Sequence, residues 1–315
     1  MEGLTRDATT NQSKGWVACP QCSGSSALFR SSTDVNNSAT REIFHYYRCS
    51  LCDLVFMSNI PPDMSLYYRK GYQAIPRSVA ALRKLADREK YRLHELLKLK
   101  TGGRLLEVGP WVGIFSINAK DAGFEVDAIE SDRACVEFLT NVAGINVFES
   151  NNPAETLASM PRRYDAVVLW HSLEHLPTPW LVIERVSNIL NPGGVLLVAI
   201  PNIDSYDSCV MREKWVHLDA PRHLYFYAPQ ALTALCRRFH LAPVLMATHD
   251  RLSLILGLQA WYRYLGRCRP MEYLSGLAGM IRGLLRLPSS TPRRPVFIGS
   301  GLTAIFIKSE LRSRG

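Results

Sequence analysis

The sequence lacks an apolar run long enough to cross a bilayer. The stretches Leu252–Tyr262 and Pro295–Ile307 are 11 and 13 residues long, against the roughly 18 that a spanning helix needs, which argues against an integral membrane protein. Residues 1–15 have neither a basic-then-apolar order nor a small-residue cleavage site, so no secretory leader is expected and the expected location is cytoplasmic. The eight cysteines are then expected as reduced thiols, not disulfides. Compositional bias is missing too: 47% hydrophobic and 21% charged residues over 315 positions make an ordinary globular chain, long enough to bury a core unaided.

A general nucleic-acid signature is also absent. The net charge is +9, but seven arginines against Glu272 place +6 of it between Ser253 and Ile298. The cysteine-rich segment Cys19–Cys52 carries only Arg30, Arg41 and Arg48 against Asp34 and Glu42, with no aromatics interleaved among lysines. Stacking platforms for single strands need that interleaving, so a nucleic-acid partner is not expected.

Four of the cysteines are regular. Cys19 and Cys22 form one pair, Cys49 and Cys52 another, with 26 residues between the pairs. Each pair sets two thiolates at the tip of a tight turn, and two turns supply the four sulfurs of a tetrahedral Zn²⁺. Ala27–Arg30 and Glu42–Arg48 read as strands and Ser31–Thr40 as a loop, which makes a zinc ribbon over residues 16–60 after a flexible stretch at 1–15. A redox pair is the competing reading. With sulfur filling all four positions no site stays open for water, so the metal is structural. Cys135, Cys209, Cys236 and Cys268 are scattered and read as small buried side chains.

Residues 61–101 form a helical lead-in. Helical spacing of apolar residues predicts a surface helix over Pro76–Lys100, stopped at Thr101-Gly102-Gly103. From 102 to 315 short apolar runs alternate with helical stretches. The strands are expected at Arg104–Val108, Glu125–Ile129, Asn146–Phe148, Ala166–Trp170, Val195–Ile200, Ala242–Ala247 and Leu302–Ile307. Helices are expected near Ile114–Ala122, Arg133–Ala143, Trp180–Leu190 and Pro229–Phe239. This is a doubly wound α/β domain whose ligand belongs at the carboxyl ends of the central strands.

Glu107, Gly109 and Gly113 close the first strand. A dinucleotide fingerprint would need glycine where Trp111 and Ile114 stand, and Glu107 is poorly placed beside a pyrophosphate but suits a cationic ligand. Glu130 ends the second strand, where an acid can accept both hydroxyls of a ribose. A ribose and a positively charged tail together make S-adenosylmethionine.

Read in order, Glu107-x-Gly109-x-x-x-Gly113, Glu130, Tyr164–Leu176 and Leu190–Asn202 resemble the class I S-adenosylmethionine-dependent methyltransferases. The chain is most similar to the small-molecule branch that includes ubiquinone-pathway and sugar methyltransferases, some of which carry an N-terminal zinc module. The resemblance covers Gly103–Leu245 and a last strand at Leu302–Lys308, and it implies a seven-stranded Rossmann-like domain. It departs at Trp111, where the family usually has glycine. It implies that Glu107, Gly109 and Gly113 hold the methionine portion of S-adenosyl-L-methionine and that Glu130 holds the ribose. Asn151 or Asn152 would lie near the adenine, and Trp170 and His171 would border the sulfonium and the acceptor.

Two clusters could carry chemistry. His171, Glu174 and His175 would share one face of a helical turn, and Trp215–Leu224 adds His217, Asp219, Arg222 and His223. His175 or His223 could act as a general base. Alternatively His171, Glu174, His175 and a later histidine bind a divalent cation, or Glu174 and His175 only brace the turn. Arg222 could steady an acidic substrate.

Residues 253–298 form an amphipathic, arginine-bearing insertion. It suits an anionic membrane surface, a lid, a homodimer interface, or two helices packed on the sheet edge. The expected function is methylation of a small-molecule, sugar or lipid-linked acceptor. The alternative is a nucleic-acid- or protein-directed methyltransferase that uses the ribbon for recognition.

Overall fold

The computed structural model describes residues 16–68, 74–248, 251–266 and 299–309. The ribbon is built from β1 (Trp16–Ala18), β2 (Ser25–Ser32), β3 (Phe44–Cys49) and β4 (Val55–Met57). Its two cysteine turns repeat one geometry. The Ser23 amide donates to the Cys19 carbonyl at 2.8 Å and the Asp53 amide to the Cys49 carbonyl at 3.2 Å, and both Ser23 and Asp53 take positive φ, 61° and 64°.

The lead-in is two helices, α1 (Val79–Asp87) and α2 (Tyr91–Leu97), where the spacing predicts one. The Arg88 and Glu89 amides bond to the carbonyls three residues back, which tightens and ends the first helix. A continuous helix would carry Glu89 and Lys90 onto the face that Ala86 buries. The break keeps those charges off the buried face, while Leu82 and Ala86 of α1 and Leu93 and Leu96 of α2 are all buried.

Then follow β5 (Gly103–Val108), α3 (Ile114–Asp121), β6 (Phe124–Glu130), α4 (Arg133–Asn141), β7 (Asn146–Glu149), α5 (Pro153–Ser159), β8 (Tyr164–Trp170), α6 (Pro179–Ile189) and β9 (Leu190–Pro201). After these come α7 (Tyr206–Met211), β10 (Tyr225–Phe226), α8 (Pro229–Arg238), β11 (Leu241–Ala247), α9 (Arg251–Leu265) and β12 (Gly301–Lys308). Seven strands form one sheet in the order β11-β12-β9-β8-β5-β6-β7. β12 runs antiparallel to β9 and β11, and the others pair in parallel. β9 starts at Leu190, five residues before the expected Val195, because Leu190 already pairs with Tyr164. β10, a two-residue strand, escapes any periodicity argument.

Each sheet face has its own core. On one face Leu105, Val168 and Ala199 pack with residues of α1 to α4. On the other, Leu169, Leu196 and Val198 share a single core with Phe44, Tyr46, Val55 and Phe56 of the ribbon and with Trp215 and Phe226. The ribbon sheet takes β10 as its fifth strand, Tyr225 opposite Phe56 and Phe226 opposite Val55. The boundary expected at residue 60 therefore separates sequence but not packing.

The helix α9 covers the first part of the expected insertion, and 267–298 lie outside the described residues. Trp261 on α9 is buried, and its indole donates to Asp207 at 2.5 Å. Leu254, Leu258 and Tyr262 do face outward. Among the described residues, no helix is long and apolar enough to cross a membrane. Of the scattered cysteines, Cys135 and Cys236 are buried as expected, Cys209 is exposed, and Cys268 lies outside the described residues.

A shared core predicts shared unfolding. Phe44→Ala removes a fully buried ring and should cost about 3–5 kcal/mol. In urea, far-ultraviolet dichroism and tryptophan fluorescence should shift together as one transition; separate transitions would show two independent units.

Candidate active site

The glycine loop between β5 and α3 is held by steric need. Gly109 has φ +73°, and a Cβ there would stand 2.7 Å from the Ser172 Cβ. Gly113 has φ +82°, and its Cβ would meet Leu139 at 2.5 Å. Trp111 also adopts a left-handed conformation, φ +54°, which glycine takes without strain and other residues rarely do. Its amide donates to Glu130 Oε2 at 2.9 Å.

Glu130, at the end of β6, also accepts the amides of Ser131 at 2.7 Å and Asp132 at 2.9 Å, both on Oε1. A carboxylate offers about four acceptor positions, so Oε2 keeps one for a ligand hydroxyl. Burial raises the Glu130 carboxyl. Glu107 is fully enclosed, and burial pushes its carboxyl up to about 7 although the Ser116 hydroxyl donates to it. Arg92, on α2, is the nearby positive charge that opposes this rise. Asn152 immediately precedes α5, and its amide is held by the Ser150 hydroxyl at 3.0 Å.

A cavity of about 440 Å³ opens at the carboxyl edge of the sheet, lined by Tyr91, Arg92, Trp170, Arg251 and Thr303 among others. Trp170 and Thr303 both flank Ala199 in register, which fixes the level along the strands. Trp170 is buried, with its ring stacked on Phe115 at 6.1 Å and the Arg92 guanidinium 5.2 Å above it. Arg251 lies 4.9 Å from the Tyr91 ring centre. A second cavity, lined by Gly103, Arg104, Gly123 and Glu125, sits at the amino ends of β5 and β6, away from where such sheets bind ligands. No sequence pattern separated Arg92 from the other charges of the lead-in.

Beyond β8 the chain turns through His171 at φ +53° into a 3-10 turn, Leu173–His175, in place of the expected α-helical turn. His171 Nδ1 lies 3.2 Å from Glu174 Oε1. An ionised carboxylate only accepts, so Nδ1 carries a proton and Nε2 presents its lone pair. That Nε2 is buried and meets no hydrogen-bond partner among the described residues, and the same holds for Glu174 Oε2 and Ser172 Oγ. Burial works to raise the Glu174 carboxyl, but the His171 hydrogen bond and the charge of the surrounding imidazoles hold it down at about 2.

His175 faces elsewhere, its Nδ1 on the Arg222 carbonyl at 3.0 Å. Burial, and then the charge of His223, lower the His175 imidazole to about 4. His223 Nδ1 reaches the His217 carbonyl at 2.8 Å, and the His175 and His223 rings stand 4.6 Å apart. Glu174, His175 and His223 each bring a ligating atom within 4.8 Å of the others. Arg222, expected to meet a substrate, is instead 2% exposed. It is bound to Asp219, to the Tyr67 carbonyl at 3.2 Å and to Asp34 at 3.5 Å.

In the ribbon, Cys19 and Cys52 sulfurs lie 3.6 Å apart and those of Cys22 and Cys49 3.5 Å apart. A tetrahedral ion with Zn–S bonds of 2.3 Å needs edges of about 3.8 Å, so the four thiols fit it. Burial alone would raise the Cys49 thiol, but the Cys52 and Leu51 amides and the Cys22 thiol bring it down to about 7. Burial raises the Cys22 thiol and the hydrogen bond with Cys19 raises that of Cys52, so metal binding at this cluster would release protons.

The family model described as "Methyltransferase domain" matches residues 81–245, and the chain belongs to that family. It is 26% identical over 169 residues to a ubiquinone biosynthesis O-methyltransferase of Cereibacter sphaeroides, covering 51% of this chain and 66% of the relative, just under two thirds. It is 28% identical over 190 residues to the protein of that name from Paraburkholderia phymatum, covering 53% and 82%. A solved SAM-dependent methyltransferase from Archaeoglobus fulgidus aligns with a TM-score of 0.48 at 16% identity, over 71% of this chain and 94% of that one.

The loop geometry makes a graded prediction. Gly109→Ala combines left-handed strain of about 1–2 kcal/mol with the Ser172 clash. Gly123→Ala, at φ +98° with nothing within 4 Å of its Cβ, meets the strain alone. Urea denaturation should show Gly109→Ala to be the more destabilised; equal losses would refute the close packing of loop and turn.

Proposed function

We propose that this chain transfers the methyl group of S-adenosyl-L-methionine to a hydroxyl of a small-molecule, sugar or lipid-linked acceptor. The observation that carries the reading is the Glu174–His171 pair with its buried, unpartnered Nε2, on the turn whose Ser172 abuts Gly109. The residue that follows the base therefore packs against the glycine loop.

The residues suit the cofactor. Glu107 and Arg92 offer opposite charges to an amino-acid tail, Glu130 keeps an acceptor position for a ribose hydroxyl, and Ser150–Asn152 follow β7 where an adenine would lie. When bound, the cofactor supplies a methyl group on a positively charged sulfur. His171 Nε2 takes the acceptor's hydroxyl proton as the O–C bond forms and the C–S bond breaks. Glu174 orients the ring and stabilises the imidazolium, the role a buried carboxylate plays in a histidine dyad. The names of the ubiquinone-pathway relatives support oxygen as the methylated atom. The four cysteines hold a structural Zn²⁺. A second reading, a divalent cation on Glu174, His175 and His223, has in its favour the proximity of their ligating atoms.

Methyl transfer from labelled cofactor into a fractionated cell extract tests the reading. Label should enter the small-molecule or lipid fraction. Glu130→Ala should lower S-adenosylhomocysteine affinity tenfold or more. His171→Gln should leave that affinity within about threefold and slow transfer by roughly 10²–10⁴. Label in RNA or protein would overturn the proposal in favour of the recognition alternative, and transfer that requires added Mg²⁺ while the cysteines keep their zinc would favour the cation.

Glu107 adds a pH dependence. Its carboxylate, not its acid form, attracts the ligand's ammonium, so affinity for S-adenosylhomocysteine should rise with pH up to about 7 and level off above. The slope below that value should approach tenfold per pH unit. Titration calorimetry between pH 5.5 and 8 should show this rise, and Glu107→Gln should flatten it.

A further inference from the structure

We infer that the tetra-thiolate module is the positioning device of the acceptor half of the site, its metal holding the histidine-bearing segment in place while the cofactor-facing carboxylates keep hydrogen bonds of their own. The inference rests on the reading above for what the histidines do. Three successive carbonyls carry it. The Arg222 carbonyl faces His175 Nδ1 at 3.0 Å, the His223 carbonyl accepts the Tyr46 hydroxyl at 2.9 Å, and the Leu224 carbonyl accepts the Met57 amide at 2.9 Å. The first partner is a site histidine, and the next two, Tyr46 and Met57, lie on ribbon strands β3 and β4. The Leu224 amide then donates to the Glu174 carbonyl at 2.8 Å. A single residue thus links the ribbon edge to the backbone of Glu174, whose carboxylate faces His171.

The links run back to the cysteine turns. Gln21, between Cys19 and Cys22, accepts the Tyr227 hydroxyl at 2.9 Å, one residue past β10. Asp53, next to Cys52, pairs with Arg48 at 2.7 Å, and Arg48 reaches on to Asp204 at 2.9 Å. Asn36 donates to the Val216 carbonyl at 2.8 Å, and Asp34 sits against Arg222. By contrast, the hydrogen bonds of Glu107 and Glu130 described above stay on Ser116, Trp111, Ser131 and Asp132. A pinned histidine segment matters because a base misplaced by ~1 Å can lose two orders of magnitude in rate.

The experiment uses the full chain, zinc-loaded, in three forms: wild type, Cys22→Ser/Cys52→Ser, and Tyr46→Phe. The last keeps the thiols and removes one hydroxyl. Three quantities are read: S-adenosylhomocysteine affinity by calorimetry, imidazole nitrogen shifts of the site histidines by NMR, and the methyl-transfer rate into the extract fraction labelled by the wild type. Both variants should keep the affinity within twofold, displace the His175 and His223 imidazole signals, and lower transfer at least tenfold. Unchanged imidazole signals in both variants would overturn the inference. So would a parallel loss of S-adenosylhomocysteine affinity in Tyr46→Phe, because the ribbon would then support the whole domain without distinction. Failure of the wild type to bind S-adenosylhomocysteine would instead defeat the proposed function, and the imidazole signals would still decide the positioning role.

Discussion

The pairing of Tyr225 and Phe226 with Phe56 and Val55 adds to the ribbon sheet a strand that comes more than 160 residues later in the chain. It closes one edge of the ribbon sheet, satisfying backbone groups that an exposed edge would leave open. It also fixes the loop before it, because a strand of two residues has register but no stiffness of its own. Around it Tyr46 and Trp215 stand edge-on or tilted to Phe226 at 5.8 and 6.2 Å. These rings fill the seam with a dry core, and the histidine-bearing segment is trapped against it.

The second constraint is electrostatic. Two enclosed carboxylates lie at the carboxyl edge of one sheet and are driven apart. Glu174 is held ionised at about 2 because imidazoles surround it, and Glu107 is pushed to about 7 by burial that its hydrogen bonds only partly offset. Environments that split the titration of like groups mark a division of labour. In the proposed function one carboxylate serves the base and the other attracts a cationic ligand. Arg222 shows the opposite use of burial: enclosed between Asp219 and Asp34, it spends its charge on the loop, because a buried ion pair is costly to break.

Much of this was legible in the sequence, for identifiable reasons. Strands buried on both faces are continuous apolar runs, so β5, β6, β8 and β9 stood out. Gly109 and Gly113 announced a tight loop, and the cysteine spacing announced a ribbon. The spacing of His171 and Glu174 correctly brought them together, although the turn is 3-10 and His175 leaves their face. What escaped depends on tertiary context. A two-residue strand has no periodicity, Arg92 is one charge among many until α2 folds back over Trp170, and Arg222 looks free until Asp34 arrives from 188 residues earlier in the chain. Trp261 is buried with its indole on Asp207, a partner that no pattern local to α9 reveals.

Amide hydrogen exchange, followed before and after zinc is withdrawn, tests the joined architecture most directly. The account predicts that protection falls at Met57 and Leu224, whose amides tie the ribbon to the histidine segment and that segment to Glu174, while the amides of β5 and β6 keep theirs. Loss confined to residues 16–57, with Leu224 as protected as before, would contradict it: the ribbon would then be an appendage and not a wall of the site.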